Sequence, residues 1–164
     1  MADLTNLEEK LAEVTGLAMA AQAAGGKVTK LTEEKDADLA ATLQQMAKEA
    51  AETEERCTEL AGSFDGKKTA ILEEARTTKG KGADMLKIYL DQESDALDGF
   101  EFLTMAEAGE VGHWEVLQQM NANAGHPGVE ELVAWALPIQ LRHLEGARSG
   151  SKSLAADEDP NETA

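Results

Sequence analysis

This chain of 164 residues is one domain by size and is long enough to bury a continuous core. Its formal net charge of -17 repels phosphates and anionic lipids, which argues against nucleic acid and membrane surfaces as partners. Alanine, leucine, glutamate and lysine favour helices, and aromatic residues make up only 4% of the chain. No alternating strand pattern of useful length occurs, so the predicted fold class is all-α.

The sequence also bears on location. No segment reaches the roughly 20 apolar residues that a membrane-spanning helix needs. Residues 1–9 contain neither a basic region nor an apolar run, so we expect no signal peptide. Cys57 is the single cysteine and cannot form an internal disulfide, which is typical of a reducing compartment. We therefore expect a soluble cytoplasmic protein, with Cys57 as a small buried hydrophobe of a heptad seam.

The first half of the chain contains two predicted helices. Thr5 and Glu8 have the spacing of a capping box, which predicts a helix over 5–24 that Gly25-Gly26 ends. A long apolar seam predicts a second helix over 32–61. A short glycine-containing turn joins the two, so we expect them to pack antiparallel.

The middle of the chain is predicted to be a crossover over residues 63–90. Residues 67–78 are compatible with a short helix, and the glycines within 79–82 are expected to break or loosen it. A third long helix is predicted over 94–124, closed by Gly125.

The last predicted helix covers 127–148, with Pro127 in its first turn and Pro138 expected to kink it. The acidic segment 149–164 has few apolar residues and is expected to be disordered, which leaves 1–148 as the domain. The predicted architecture is an antiparallel four-helix bundle of the ferritin-like kind, with a long crossover between two helical hairpins.

Di-metal bundles place one Glu on each of two helices and a Glu-x-x-His motif on each of the other two. Glu110 and His113 have this spacing, and Gln140 and His143 have it with an amide in place of the acid. Two acidic helices offer further carboxylates, with Glu49 as an alternative to Glu52. The candidate metal ligands are Glu9, Glu52, Glu110, His113 and His143.

Each candidate also has an ordinary structural interpretation. His113 precedes Trp114 and suits a partly buried histidine that hydrogen-bonds across the bundle. His143 falls in the predicted last helical turn, where an imidazole interacts favourably with the helix dipole. The glutamates lie in strongly acidic helices, where most carboxylates are expected to face solvent. Gln140 is neutral and cannot balance the charge of a metal ion.

Three stretches resemble the YciE/YciF-type ferritin-like stress proteins. Residues 48–56 (KEAAETEER) are similar to the "EETEGH" segment of that family's second helix. Residues 111–116 (VGHWEV), followed by Ala124-Gly125-His126, resemble its "VEHYEIA…LGH" helix and turn. Residues 7–11 (LEEKL) are similar to its "AEKQL". The resemblance covers most of residues 4–148 and implies a helical bundle that pairs into a homodimer.

The resemblance also implies a reduced metal site. Glu9 and Glu52 take the carboxylate positions of the first two helices, whereas Arg56 and Gly112 replace ligands. Residues 138–141 (PIQL) replace an acidic run on the fourth helix. His113 is retained, but the capacity to hold two cations is expected to be lost.

Three hypotheses follow. The first is a non-catalytic, stress-associated or scaffold bundle with an eroded di-metal site and no cofactor. The second is a di-iron or di-manganese carboxylate oxidase or peroxidase that uses the five candidate ligands. The third is a protein-interaction module in which an apolar stripe with Met105, Met120 and Trp135 binds a partner.

Overall fold

The computed structural model describes residues 2–163, which form five α-helices and no strand. The helices are α1 (Asn6–Thr32), α2 (Ala37–Ala61), α3 (Lys68–Tyr89), α4 (Ala96–Ala124) and α5 (Pro127–Ala156). The all-α prediction is confirmed, although the chain has five long helices where four and a short one were expected. In the described part of the chain, no helix combines the length and apolar character needed to cross a membrane.

Helix α1 begins at the predicted capping box. The Thr5 hydroxyl accepts the amide hydrogen of Glu8, and the Glu8 carboxylate accepts that of Thr5. The predicted stop at Gly25-Gly26 is wrong, because both glycines lie inside the helix. Gly25 is buried where α2 passes close by, and a Cβ atom on it would make only an ordinary contact with the Cβ of Ala47 at 3.4 Å. Helix α2 consequently begins later than predicted, at Ala37, after the N-cap Asp36.

Helix α3 is continuous, so the predicted break at 79–82 is wrong. It runs parallel to α1 at very short range: a Cβ atom on Gly16 would lie 2.3 Å from the Ala75 carbonyl oxygen. A Cβ atom on Gly82 would lie 2.7 Å from the Cβ of Ala20. These glycines allow two helical backbones to approach, and the packing gained offsets their low helix propensity.

Helices α4 and α5 form a tight hairpin. Asp95 and Asp98 make a second capping box, and Gly125 ends α4 in the left-handed conformation with φ 67°. The N-cap His126 precedes Pro127, and α5 then continues through Pro138 without interruption. These starting and ending points agree with the predicted ones to within two residues.

The far end of α5 differs from the prediction. Residues 149–156 were expected to belong to a disordered tail, but the helix continues to Ala156. Gly150 lies against the Phe100 ring, and Leu154 is only 2% exposed. These two buried positions lie one turn apart and anchor the segment to the core. The polar composition of the segment as a whole gave no indication of this anchoring. Ala164 lies outside the described residues.

The core consists of two apolar clusters that lie one above the other along the bundle. One is built around Trp114 and includes Cys57, as the heptad seam predicted. The other is built around Phe100. Helices α1, α2, α4 and α5 contribute to both clusters, and α4 and α5 bury strongly polar side chains between them. That intervening level holds the candidate site.

Candidate functional site

A layer of buried polar side chains separates the two apolar clusters. Helix α4 contributes Glu107 and Glu110, and α5 contributes Gln140 and His143. Each pair is three residues apart and therefore shares one helix face. All four side chains are buried, with Glu107 and Glu110 each 4% exposed. Buried acids are rare without a partner, so this layer stands out from the rest of the core.

His143 is held between two carboxylates on opposite sides of its ring. Its Nε2 lies 2.6 Å from Glu49 Oε2 on α2, and its Nδ1 lies 3.8 Å from Glu107 Oε2. Glu49 also accepts a hydrogen bond from Arg142 Nη2 at 2.7 Å, which fixes this carboxylate. Burial lowers the pKa of His143, and hydrogen bonding to Glu49 partly offsets that effect. A neutral ring that donates from Nε2 to Glu49 presents its Nδ1 lone pair to Glu107.

The two α4 carboxyl groups resist ionisation. Burial raises the pKa of Glu107 to about 7. Burial raises the pKa of Glu110 well above its usual value, and the negative charge of Glu107 raises it further. The Trp114 indole NH lies beside Glu110 and opposes this rise, although the pair does not reach hydrogen-bond geometry.

Several polar atoms of the layer have no partner. Within the described residues, Glu107 Oε2, Glu110 Oε1, Trp114 Nε1 and both amide atoms of Gln140 are buried without a hydrogen bond. An unsatisfied buried polar group costs about 1–3 kcal/mol, so such a concentration is unusual for a purely structural core. These unpaired donors and acceptors could bind a ligand or take up a proton.

The layer reaches two surfaces of the bundle. On one side, Glu107 and Glu110 line a mostly apolar cavity of about 240 Å³ between α1, α3 and α4. On the other side, Glu49 and His143 line a shallower depression between α2 and α5. The polar groups therefore form a path across the bundle, perpendicular to its length.

The structure divides the five predicted ligands. Glu110 and His143 belong to the layer, whereas Glu9 is exposed on α1. Glu52 is also exposed, and Arg56 Nη2 pairs with it at 3.0 Å. The set therefore does not converge on one point, because two of its members face solvent. In the predicted alternative position, Glu49 points inward and contacts His143.

His113 has a separate environment. Its ring is 42% exposed, and its Nδ1 lies 3.1 Å from Glu13 Oε2 and 3.3 Å from Lys10 Nζ. It borders the cavity at the surface and makes the cross-helix hydrogen bond that its ordinary interpretation predicted. His143, in contrast, is no helix-end imidazole, because α5 continues for more than three turns beyond it.

Glu107 was missed by the sequence reasoning. Two sequence signals were available: Glu107 precedes Glu110 by three residues, as Gln140 precedes His143. Paired polar positions on one face of otherwise core-forming helices indicate a buried polar layer. Glu49, which contacts His143 in the fold, lies 94 residues from it in the chain, so spacing does not reveal this contact.

A metal centre places several donor side chains around one point. Across residues 2–163, no group of three or more His, Cys, Asp and Glu side chains is arranged to hold a metal ion. Glu49 and Glu107 face different nitrogens of one ring, so they cannot share an ion with His143 as they stand. The donor types suit a cation, but the positions of the donors do not suit a pair of cations.

No family model, no curated protein and no solved structure matches this chain. The resemblance to the YciE/YciF-type proteins therefore stays a prediction from short motifs.

Proposed function

We propose that this chain is a ferritin-like bundle that holds no di-metal pair and acts as a non-catalytic, stress-associated or scaffold protein. Contacts between its helices support the bundle. Helix α1 packs antiparallel to α2 and α4, while α5 packs antiparallel to the same two helices. Helix α3 joins the two hairpins along the outside of α1, as a crossover does in this class of bundle.

The observation that carries the proposal is the composition of the buried layer. A di-metal bundle needs four inward glutamates and two histidines from all four helices. Between the two apolar clusters, the buried residues of α1 are Thr15, Gly16 and Ala18, and none of them can supply a carboxylate. Helix α5 supplies the neutral Gln140 with a single His143. Too few charges remain to balance two divalent cations.

A second candidate function is the binding of one divalent cation, such as iron or manganese. The orientation of His143 favours it, because a ligating histidine usually donates its other ring NH to a carboxylate. Glu49 occupies that position, and the free Nδ1 faces Glu107. Glu107, Glu110 and His143 would then hold the ion, with Gln140 as a neutral oxygen donor.

Metal analysis of untagged protein distinguishes these functions. We expect well below one ion of iron or manganese per chain and a thermal midpoint that a chelator leaves unchanged, because the fold gains nothing from metal. Two ions per chain, lost in a His143→Ala variant, would contradict the proposal. One tightly held ion, with a midpoint that falls by several degrees on chelation, would establish the second candidate instead.

The interaction-module hypothesis finds partial support. Met105 is 38% exposed and adjoins the exposed Met85 and Tyr89 of α3. Trp135, in contrast, packs against the core and is covered by the Arg56 guanidinium at 4.1 Å from its ring centroid. Most of the exposed large apolar side chains therefore lie on α3 and α4, with Leu141 on α5. The homodimer that the resemblance implies stays a prediction.

A further inference from the structure

The cavity beside the buried layer has an apolar body and an acidic end. Its walls are apolar side chains, including Ala20, Ala21, Met85 and Phe102. Its volume of about 240 Å³ exceeds the roughly 150 Å³ of an engineered cavity that takes up benzene. A molecule with a chain of about six carbons therefore fits the space.

The acidic end consists of Glu107 and Glu110. Each has one carboxyl oxygen without a hydrogen-bond donor in the described structure. The nearest cation on α1, Lys10, is already engaged by Glu13 and His113 at the surface. The two carboxyl groups line the inner end of the cavity, while these two oxygens, Glu107 Oε2 and Glu110 Oε1, are buried away from solvent without a hydrogen bond.

A ligand that complements this cavity has a hydrocarbon body and a head group rich in donors. An alkylammonium group has three N–H donors and a positive charge, which suits two adjacent carboxyl groups. An alcohol of equal length brings one donor and no charge, and a fatty acid brings a carboxylate, which has no donor for these oxygens and is costly to bury without a partner. The net charge of -17 also raises the local concentration of cations over anions.

We propose that the cavity between α1, α3 and α4 binds a small primary alkylamine, with the ammonium group between Glu107 and Glu110 and the alkyl chain against Ala21 and Phe102. The inference rests on the proposed function in one respect, since the carboxyl groups must be free of metal. It adds a ligand class to a bundle that is otherwise described only as non-catalytic.

Calorimetric titration of the full chain, shown to be metal-free, tests the assignment. The probes are n-hexylamine, n-hexanol and sodium hexanoate, which share one chain length. We expect hexylamine to bind at least about tenfold more tightly than hexanol, as charge-assisted hydrogen bonds imply, and hexanoate not to bind. Equal binding of all three probes, or no binding of hexylamine, would overturn the proposal.

Variants separate the head-group contact from the apolar contact. The double variant Glu107→Gln/Glu110→Gln should lose the preference for amine and still bind hexanol, while the exposed Glu115→Gln removes a charge from the same helix as a control. Ala21→Phe should fill the cavity and remove binding of both probes. Circular dichroism verifies that each variant is folded. Hexylamine affinity that Glu107→Gln/Glu110→Gln leaves unchanged would place the amine elsewhere and end the proposal.

Failure of the two proposals can be told apart. Metal-free protein as isolated that does not bind hexylamine refutes the amine site and leaves the non-catalytic bundle intact. Protein that is isolated with metal, and binds hexylamine only after chelation, refutes the metal-free bundle and keeps the amine site.

Discussion

The Glu107→Gln variant is expected to unfold about 5–10 °C above the parent protein at pH 8 and close to the parent at pH 5. Glutamine has the shape of a protonated glutamic acid, so the substitution changes little where Glu107 is protonated. At pH 8 the parent must keep a carboxylate buried, which the amide avoids. With the pKa of Glu107 raised to about 7, the cost at pH 8 is about 3 kcal/mol.

The sign follows from proton binding in the two states. Because its folded pKa is raised, Glu107 holds a proton in the native protein at pH values where the unfolded chain has lost it. The native state therefore loses stability as the pH rises from about 4.5 to about 7. His143 acts in the opposite direction, because its pKa is lowered and its contribution to stability is lost as the pH falls through about 6.5. At pH 8 His143 is neutral in both states, which isolates the carboxyl effect.

Thermal unfolding of the parent and variant across pH 5–9 checks this expectation. The exposed Glu101→Gln variant on the same helix is the matched control and should shift the midpoint little at either pH. A Glu107→Gln midpoint that falls below the parent at pH 8 would mean that the ionised carboxylate is stabilised in the native protein. A bound cation is the obvious source of such stabilisation, so this result would favour the single-ion function.

Gly16→Ala is expected to destabilise the protein by about 3 kcal/mol, whereas Gly26→Ala, on the same helix, should stabilise it by about 0.5–1 kcal/mol. At Gly16 the new methyl group would lie 2.3 Å from the Ala75 carbonyl oxygen and 2.6 Å from Thr78 Cβ, so α3 has to move away from α1. At Gly26 nothing lies within 4 Å, and only the helix propensity changes.

Urea unfolding of the two variants measures both effects on one scale. An unchanged dependence of the free energy on urea concentration would show that stability, and not the compactness of the unfolded state, has changed. If Gly16→Ala proved as stable as the parent, α1 and α3 would not pack at the distance described here. If Gly26→Ala proved destabilising, α1 would not be continuous through its two glycines.

Local chemistry was sufficient to predict several helix ends. The capping box at Thr5 and Glu8, the left-handed Gly125 and the first-turn Pro127 each satisfy or terminate backbone hydrogen bonds within a few residues. Signals of this kind depend on neighbours in the chain, so they can be identified without knowledge of the fold.

The glycines inside α1 and α3 were misinterpreted for the opposite reason. A glycine that ends a helix and one that lets two helices touch are identical in a single sequence. At Gly82 a partner helix far away in the chain decides between the two roles. The end of α5 was misplaced in the same way, because Leu154 becomes a core residue only through contact with other helices.

The candidate site was predictable only in part. Spacing identified Glu110 and His143, but the rotation of each helix about its axis determined which other acids face them. Glu52 and Glu49 lie less than one turn apart, yet one faces solvent and the other contacts His143. Composition and spacing do not specify that rotation, since α2 is acidic on several sides.

The buried layer has a consequence for how the helices align along their length. Sliding α4 past α5 by one turn, about 5.4 Å, would carry Glu107 and Glu110 into an apolar cluster and separate Glu107 from His143. Hydrophobic burial has no direction of its own and is less sensitive to such a slip than paired polar groups are. The buried polar groups make other alignments costly. They therefore select one axial register of α4 against α5, among several that apolar packing alone would allow.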